Sequence, residues 1–105
     1  MTDQFTYGGE IVWRPTPETI QRSNLKKFMD KHDIKDFHDL MSRSTSDVAW
    51  FTDAVLKFLD IQFQKPYTQV VDLSKGIAFP QWCVNGKLNI AHNCVDKHYA
   101  TKAQQ

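Results

Sequence analysis

The sequence lacks the features that mark several common classes of protein. Its 13 basic and 12 acidic residues nearly cancel, and they form no basic run of the kind that binds nucleic acid. No apolar run is long enough to span a bilayer. Residues 1–4 (Met-Thr-Asp-Gln) have neither the basic nor the apolar region of a signal peptide. We therefore expect a cytoplasmic protein that binds neither nucleic acid nor a membrane.

Cysteine is also scarce. Cys83 and Cys94 are too few for a secreted disulfide scaffold, so we expect two reduced thiols. A zinc site built from Cys94 and His98, with Cys83 or His92, is a weaker alternative because the sequence has no CxxC pair. Nucleophilic catalysis by a Cys–His pair is weaker still, since a cysteine on an apolar helix face is usually inert.

The chain has only four glycines, and they form no phosphate-binding loop. Gly76 and Gly86 stand alone, and the glycine spacing of a P-loop does not precede the Gly86-Lys87 pair. We predict that this chain by itself has no catalytic residue, binds no cofactor and holds no metal.

Aromatic residues, in contrast, are plentiful. A chain of 105 residues with seven Phe, three Trp and three Tyr fits one small domain with an aromatic core or docking surface. The pattern predicts a mainly α fold with about four helices and one or two short strands. We divide the chain into an extended arm over residues 1–15, a helical domain over residues 16–100 and a frayed tail over residues 101–105. Within the arm, residues 11–13 (Ile-Val-Trp) are candidates for a short strand or an anchor.

Three helices are predicted in the first half of the chain. Residues 16–18 (Thr-Pro-Glu) are a typical helix start, and this helix is expected to run to about His32. Asp36 can cap a second, short helix, after which residues 44–47 (Ser-Thr-Ser-Asp) interrupt and supply the next cap. The third helix, over about residues 47–59, has an apolar stripe formed by Val48, Phe51, Val55, Phe58 and Leu59.

The second half has a different pattern. Residues 70–73 (Val-Val-Asp-Leu) predict a brief strand, and Asn85-Gly86 is a tight-turn pair. A fourth helix is predicted over about residues 88–100. At about 100° per residue it has one apolar and one polar arc. The apolar arc contains Leu88, Ile90, Ala91, Cys94, Val95, His98 and Tyr99, and the polar arc contains Asn89, His92, Asn93, Asp96 and Lys97.

The stretch from Trp82 to His98 resembles the motif that closes the N-terminal domain of the acetyl-CoA synthetases and their propionyl- and acetoacetyl-CoA relatives. Weaker similarities upstream, at residues 13–15 (Trp-Arg-Pro) and residues 46–51, extend the resemblance to about residues 11–98. The positions that match the motif in order and spacing are Trp82, Gly86, Leu88, Asn89, Asn93, Asp96 and His98.

Three positions depart from that motif. Cys83 stands where the family usually has Phe, Asn85 replaces a Gly, and Lys97 replaces an Arg. Asn tolerates the left-handed backbone that such a turn requires. Lys keeps the positive charge of Arg but loses its planar fork.

The resemblance implies that this chain is an incomplete N-terminal segment of a larger α/β adenylate-forming enzyme, an AMP-forming acyl-CoA synthetase. Such an enzyme joins a short acid such as acetate to CoA through an acyl-adenylate. ATP, CoA and Mg²⁺ would serve the parent enzyme, because the family's phosphate loop lies far downstream of the segment that this chain resembles. The alternative is a freestanding interaction or oligomerisation module that shares the domain without the enzyme.

The resemblance also bears on the polar arc, which in an arbitrary sequence would simply face water. Because its matched positions are polar ones, we expect Asn89, Asn93 and Asp96, together with Trp82 and His98, to dock on the adenylation domain of the parent protein. Trp82 is expected to act as an anchor, while a buried and hydrogen-bonded core position is the simpler expectation for His98. An aromatic-rich surface without its partner is also expected to self-associate.

Overall fold

The computed structural model describes residues 8–102, so residues 1–7 of the predicted arm and residues 103–105 of the predicted tail lie outside it. A mainly α fold with a short antiparallel sheet is confirmed. In chain order the elements are α1 (Pro17–Arg22), α2 (Asn24–Lys31), α3 (Phe37–Ser46), α4 (Val48–Phe58), β1 (Gln69–Asp72), β2 (Gln81–Val84), α5 (Ile90–Cys94), a 3₁₀-helix (Asp96–His98) and α6 (Tyr99–Lys102).

The chain divides into two compact units, Met1–Phe37 and His38–Gln105. In the first unit the helix predicted to run from residue 16 to His32 is two helices. Ser23 separates them because its backbone is extended (φ −68°, ψ 146°). Its hydroxyl donates to the Ile20 carbonyl at 2.7 Å and accepts from the Lys26 amide at 3.1 Å. One serine therefore ends α1 and caps α2.

Two helices end in the same way, at an Asp-Ile pair. Asp33 and Asp60 both have left-handed backbone, with φ of 54° and 51°. The following Ile34 amide donates to the Met29 carbonyl, and the Ile61 amide makes the equivalent bond one turn after α4. This is the Schellman arrangement, in which an apolar residue after the left-handed position packs back on the helix. Ile34 is accordingly buried.

The helix α3 is longer than predicted, because residues 44–46 do not interrupt it. The hydroxyl of Ser44 donates to the Met41 carbonyl at 3.1 Å, and that of Thr45 donates to the same carbonyl at 2.8 Å. Such back-bonding lets Ser and Thr remain inside a helix. The helix ends at Ser46. The carboxylate of the next residue, Asp47, caps α4 by accepting from the Trp50 amide at 3.0 Å.

The helix α4 agrees closely with its predicted bounds. Its buried residue is Ala54, which lies beside the predicted stripe. The two end members of the stripe, Val48 and Leu59, are exposed, while the members between them are half-buried. The stripe therefore faces the core only along its middle.

The two strands form an antiparallel pair in which Gln69 is opposite Val84 and Val71 is opposite Trp82. Beyond the sheet, an isolated bridge joins Lys65 to Lys87 through two backbone hydrogen bonds of 3.1 and 2.9 Å. The predicted strand at residues 70–73 is thus β1, displaced by one residue.

The fourth predicted helix is wrong as a single element. Residues 89–102, the C-terminal segment, form α5, the 3₁₀-helix and α6. Val95 breaks the helical path because its backbone angles are φ −126° and ψ −64°. Thr101 and Lys102, expected in a frayed tail, lie in α6.

Residues 8–16 contain neither helix nor strand, so residues 11–13 form no strand, and all three of their side chains are exposed. Trp13 instead lines an apolar groove of about 540 Å³ within the first unit, together with Pro15, Leu25 and Phe37.

Candidate docking site

The five residues predicted to dock lie on two parts of the second unit. Trp82 is in β2, and the other four follow in the C-terminal segment. Asn89 precedes α5, Asn93 lies in α5, and Asp96 and His98 are the ends of the 3₁₀-helix. Their surroundings differ, so each is described in turn.

Asn93 fastens α5 to the loop that follows α4. Its Oδ1 accepts from the Gln62 amide at 2.7 Å, and its Nδ2 donates to the Gln62 carbonyl at 2.9 Å. The same Nδ2 donates to the Asn89 carbonyl at 3.1 Å. By bonding to both the backbone amide and the carbonyl of Gln62, the Asn93 side chain makes the pair of hydrogen bonds that a neighbouring β-strand residue would make. Asn93 therefore holds together two segments that are 31 residues apart.

Two further side chains of the polar arc make bonds to the same loop. The ring Nε2 of His92 lies 2.7 Å from Oε1 of Gln62, and the Lys97 ammonium donates to the Asp60 carbonyl at 2.6 Å. Lys97 is the position where the family motif has Arg. A single donor reaching a backbone carbonyl makes this bond, so the planar fork of Arg is not needed for it. The three residues Asn93, His92 and Lys97 form what we call the loop clamp.

The helical-wheel prediction for the last helix is therefore partly wrong, because several residues predicted to face outward lie on the inner side. The loop clamp comes from the predicted outer arc, yet all three of its residues are half-buried and bonded to the loop at residues 60–62. The predicted inner arc is largely exposed: Ile90 is 73% exposed, Val95 61% and Tyr99 73%. The wheel failed because it assumed one uninterrupted helix with its apolar side inward.

The remaining polar members of the predicted site have other environments. Asn89 is exposed and caps α5, its Oδ1 accepting from the His92 amide at 3.3 Å. Asp96 is exposed at the start of the 3₁₀-helix, and His98 is half-buried at its end. Asp96 thus supplies the only carboxylate among the matched polar positions of the motif, and it lies on the surface.

Trp82 lies at the wall of a small apolar cavity. The cavity is about 230 Å³ and is lined by Val48, Val71, Leu73, Ile77, Pro80 and Trp82. Half of the Trp82 surface is exposed. A half-exposed indole beside an open apolar cavity is suited to anchoring against another surface.

The end of β2 and the turn that follows it are closely packed. Cys83 and Asn85 have φ of 48° and 63°, which places both in the left-handed region and confirms the expectation for Asn85. The side-chain Nδ2 of Asn85 donates to the Thr68 hydroxyl at 3.1 Å. A Cβ on Gly86 would lie 3.0 Å from the Cys83 carbonyl and 3.1 Å from Cβ of Tyr67, so a side chain has no room there.

A polar cluster next to this turn was not predicted from the sequence. The Tyr67 hydroxyl donates to Oδ1 of Asp53, and the Lys57 ammonium lies 2.7 Å from Oδ2 of the same carboxylate. The hydrogen bond to Asp53 raises the pKa of Tyr67 to about 12. The bonds from Lys57 and then Tyr67 lower the pKa of Asp53 below its ordinary value. The Tyr67 ring also packs edge-on against Phe63, with centroids 5.1 Å apart.

The zinc site weighed from the sequence finds no support within residues 8–102, where no group of three His, Cys, Asp or Glu side chains is placed to hold a metal. Both cysteines are free; Cys83 is half-buried and Cys94 is exposed. Nor does any helix between residues 8 and 102 have the length and apolar character needed to cross a bilayer.

Comparison with known proteins identifies a family whose sequences match this part of the chain. Residues 37–94 match the family described as "Acetyl-coenzyme A synthetase N-terminus". The matched region begins with α3 and ends with the last residue of α5, so it includes the sheet, Asn93 and the loop that Asn93 holds.

Curated relatives extend the similarity to most of the chain. The acetyl-coenzyme A synthetase of Halorhodospira halophila is 37% identical over 94 residues, which are 87% of this chain and 13% of that protein. That of Methanothrix soehngenii is 29% identical over 89 residues, 83% of this chain and 13% of that protein. That of Psychromonas ingrahamii is 42% identical over 64 residues, 59% of this chain and 10% of that protein. The chain thus spans between about a tenth and an eighth of the length of these relatives. No solved structure matches it significantly.

Proposed function

This chain belongs to the acetyl-coenzyme A synthetase N-terminus family, and we propose that it serves as the N-terminal structural domain of an AMP-forming acetyl-CoA synthetase. In the proposed parent reaction, a short carboxylic acid such as acetate attacks ATP to give an acyl-adenylate and pyrophosphate. CoA then displaces AMP to give the thioester. ATP, CoA and Mg²⁺ bind in the remainder of the parent enzyme, since this sequence has no phosphate-binding loop.

The observation that best supports a structural role is the imbalance between core and surface. Within residues 8–102, five hydrophobic residues are buried: Phe28, Met29, Ile34, Leu40 and Ala54. In the same range, seventeen large hydrophobic residues are exposed. Scattered exposed apolar residues are normal in soluble proteins, but three buried residues in the first unit and two in the second leave little hydrophobic stabilisation for the free chain. A larger partner that covers part of this surface would supply the missing burial.

We propose two kinds of role in docking for the five residues. Trp82 and Asp96 are exposed, and we propose that they contact the adenylation domain directly, Trp82 as an apolar anchor and Asp96 as a hydrogen-bond acceptor. Asn89 and Asn93 fix the shape of the segment that presents them, through the α5 cap and the loop clamp. His98, half-buried at the end of the 3₁₀-helix, completes the proposed surface.

A chimeric enzyme tests this function. The 94-residue segment of the Halorhodospira halophila enzyme that aligns with this chain is replaced by the corresponding residues of this chain, and a second version simply lacks the segment. We expect the chimera to be folded and to form acetyl-CoA from acetate, ATP and CoA, whereas the version without the segment should lose stability and activity. Equal activity of the two versions would refute a structural role.

Titration calorimetry of the isolated 105-residue chain separates this proposal from an independent nucleotide-binding role. We expect no heat of binding with ATP or CoA, and binding of ATP in the micromolar range would contradict the assignment. Light scattering on the same sample tests the expected self-association, for which a strictly monomeric chain at millimolar concentration would be the contrary result.

A further inference from the structure

We propose that the apolar side chains of the C-terminal segment, Ile90, Val95 and Tyr99, are the principal contact with the adenylation domain, with the polar residues of the motif acting around them. This inference rests on the proposed function and names the surface through which it is exerted. We call these three residues the apolar strip.

The first argument is the exposure of the apolar side chains in the segment. One residue from each of α5, the turn after it and α6 belongs to the apolar strip, and all three are more than 60% exposed. The polar residues that an ordinary amphipathic helix would turn to water instead make the loop clamp. Large apolar side chains that are mostly exposed contribute little stability to the isolated chain, because burial is what makes them favourable.

The second argument is that the strip is held rigidly. Asn93 and Lys97 lie between the members of the strip, and each bonds to the backbone of residues 60–62. The cap at Asn89 and the break at Val95 fix the two ends of α5. A surface whose backbone is already fixed loses little conformational entropy when a partner binds. The loop clamp therefore gives the strip the preorganisation that an interface needs.

The third argument concerns what covers the strip. In the relatives, the region matching this chain is 13% of the protein, so about 87% of each polypeptide lies outside it. A domain joined within the same polypeptide is present at an effective concentration that a second copy reaches only at millimolar levels. Exposed Asp96 and Asn89 border the apolar residues, as polar groups border the apolar centre of a protein interface. The remainder of the synthetase is accordingly the occupant we assign.

Cys94 offers a built-in probe of the strip. It is exposed, and it lies one helical turn after Ile90 on the same side of α5. In the isolated chain a maleimide should label Cys94 rapidly. In the chimera with the Halorhodospira halophila enzyme, we expect labelling of Cys94, followed by peptide mass spectrometry, to be at least about tenfold slower, which corresponds to an opening cost of about 1.4 kcal/mol.

The combined substitution Ile90→Ser, Val95→Ser and Tyr99→Ser should restore fast labelling in the chimera and lower its thermal midpoint, while leaving the midpoint of the isolated chain unchanged. Met41→Ser is the matched control, because Met41 is exposed on α3, away from the strip in sequence. It should alter neither the labelling rate nor the midpoint of the chimera.

The outcomes separate the two proposals. An inactive or unfolded chimera with unaltered residues would refute the proposed function itself. An active chimera in which Cys94 labels as fast as in the isolated chain would refute only the apolar strip. Protection of Cys94 that appears in the isolated chain at high concentration, but not in the chimera, would assign the strip to a second copy and would overturn this inference as well.

Discussion

The helix α4 and the C-terminal segment are similar in length but differ in how their structure is fixed. The bounds of α4 follow from neighbours in the chain: Asp47 caps its start, and the turn at Asp60 and Ile61 closes its end. The C-terminal segment is broken at Val95 and is held by bonds to a loop about 30 residues earlier. The helix α4 is therefore fixed by local interactions, whereas the C-terminal segment is fixed by long-range ones.

This difference explains which predictions were successful. A capping bond joins residues within one helical turn, so a sequence pattern captures it. The loop clamp requires Gln62 and Asn93 to meet, and the acceptor and donor on Gln62 are backbone groups that every residue except proline possesses. No sequence signal identifies such a partner. The following predictions test the contrast, beginning with the largest effect.

Asn93→Ala is expected to have the largest effect on stability. It removes three hydrogen bonds and leaves the amide and carbonyl of Gln62 without that partner. We expect the free energy of unfolding to fall by about 2–3 kcal/mol, measured by urea denaturation followed by circular dichroism.

Two variants calibrate that result. Asn93→Asp retains the acceptor but not the donor, so it should fall between the alanine variant and the unaltered chain. Asn24→Ala replaces an exposed asparagine at the start of α2 and should change stability by less than about 0.5 kcal/mol. If Asn93→Ala were as mild as Asn24→Ala, the C-terminal segment would not depend on the loop clamp.

Tyr67→Phe tests a long-range polar bond of α4, from the Tyr67 hydroxyl to Asp53. The substitution keeps the ring against Phe63 and removes the hydroxyl, so we expect a loss of about 1–2 kcal/mol, less than for Asn93 because Lys57 still pairs with the carboxylate.

The same bond predicts a pH dependence at the alkaline end. Because the pKa of Tyr67 is raised from 10.0 to about 12 in the folded chain, its contribution is complete below pH 10 and is lost as the pH rises towards 12. The lowered pKa of Asp53 has the opposite sense: its contribution is present above its ordinary pKa of 3.8 and is lost as the pH falls through the lowered folded value. Thermal midpoints of the unaltered chain between pH 9 and about 12 should therefore fall more steeply than those of Tyr67→Phe; parallel curves would contradict the assigned bond.

Asp47→Ala tests the local side of the comparison. Loss of the carboxylate that accepts from the Trp50 amide should cost about 1 kcal/mol. Asp47→Ser, which keeps a capping oxygen, should recover most of that loss. Amide hydrogen exchange should increase in the first turn of α4 and remain unchanged in the C-terminal segment. An equal increase in both would show that the two regions are coupled.

Ile90→Ala should have the smallest effect. A helical wheel places Ile90 in the core, where its truncation would cost at least about 2 kcal/mol, but the side chain is 73% exposed. We expect a change within about 0.5 kcal/mol in the isolated chain. Val55→Ala in α4, where the side chain is half-buried, should cost about 1 kcal/mol and serves as the comparison. A loss above about 2 kcal/mol for Ile90→Ala would show that its side chain is buried, as the helical wheel predicts.

The proposed site shows the same division between what could and could not be predicted. Asn85 was expected in a left-handed turn, and its φ of 63° confirms it, because this preference belongs to the residue itself. The polar arc was expected to face outward, but His92, Asn93 and Lys97 are half-buried and bonded to residues 60–62. The Tyr67–Asp53 bond spans 14 residues and has no periodic signal.

The sequence by itself determined the caps at Thr16 and Asp47, the approximate limits of α4, the short β1 strand and, through its closing motif, the family. These features depend on interactions within a few residues or on the identities of residues in order. Only the tertiary structure decided which side of the C-terminal segment faces inward. In a domain with so small a core, hydrogen bonds from Asn93 and Lys97 to a distant backbone outweigh the tendency of three apolar side chains to turn in. Those side chains therefore remain available to a larger partner.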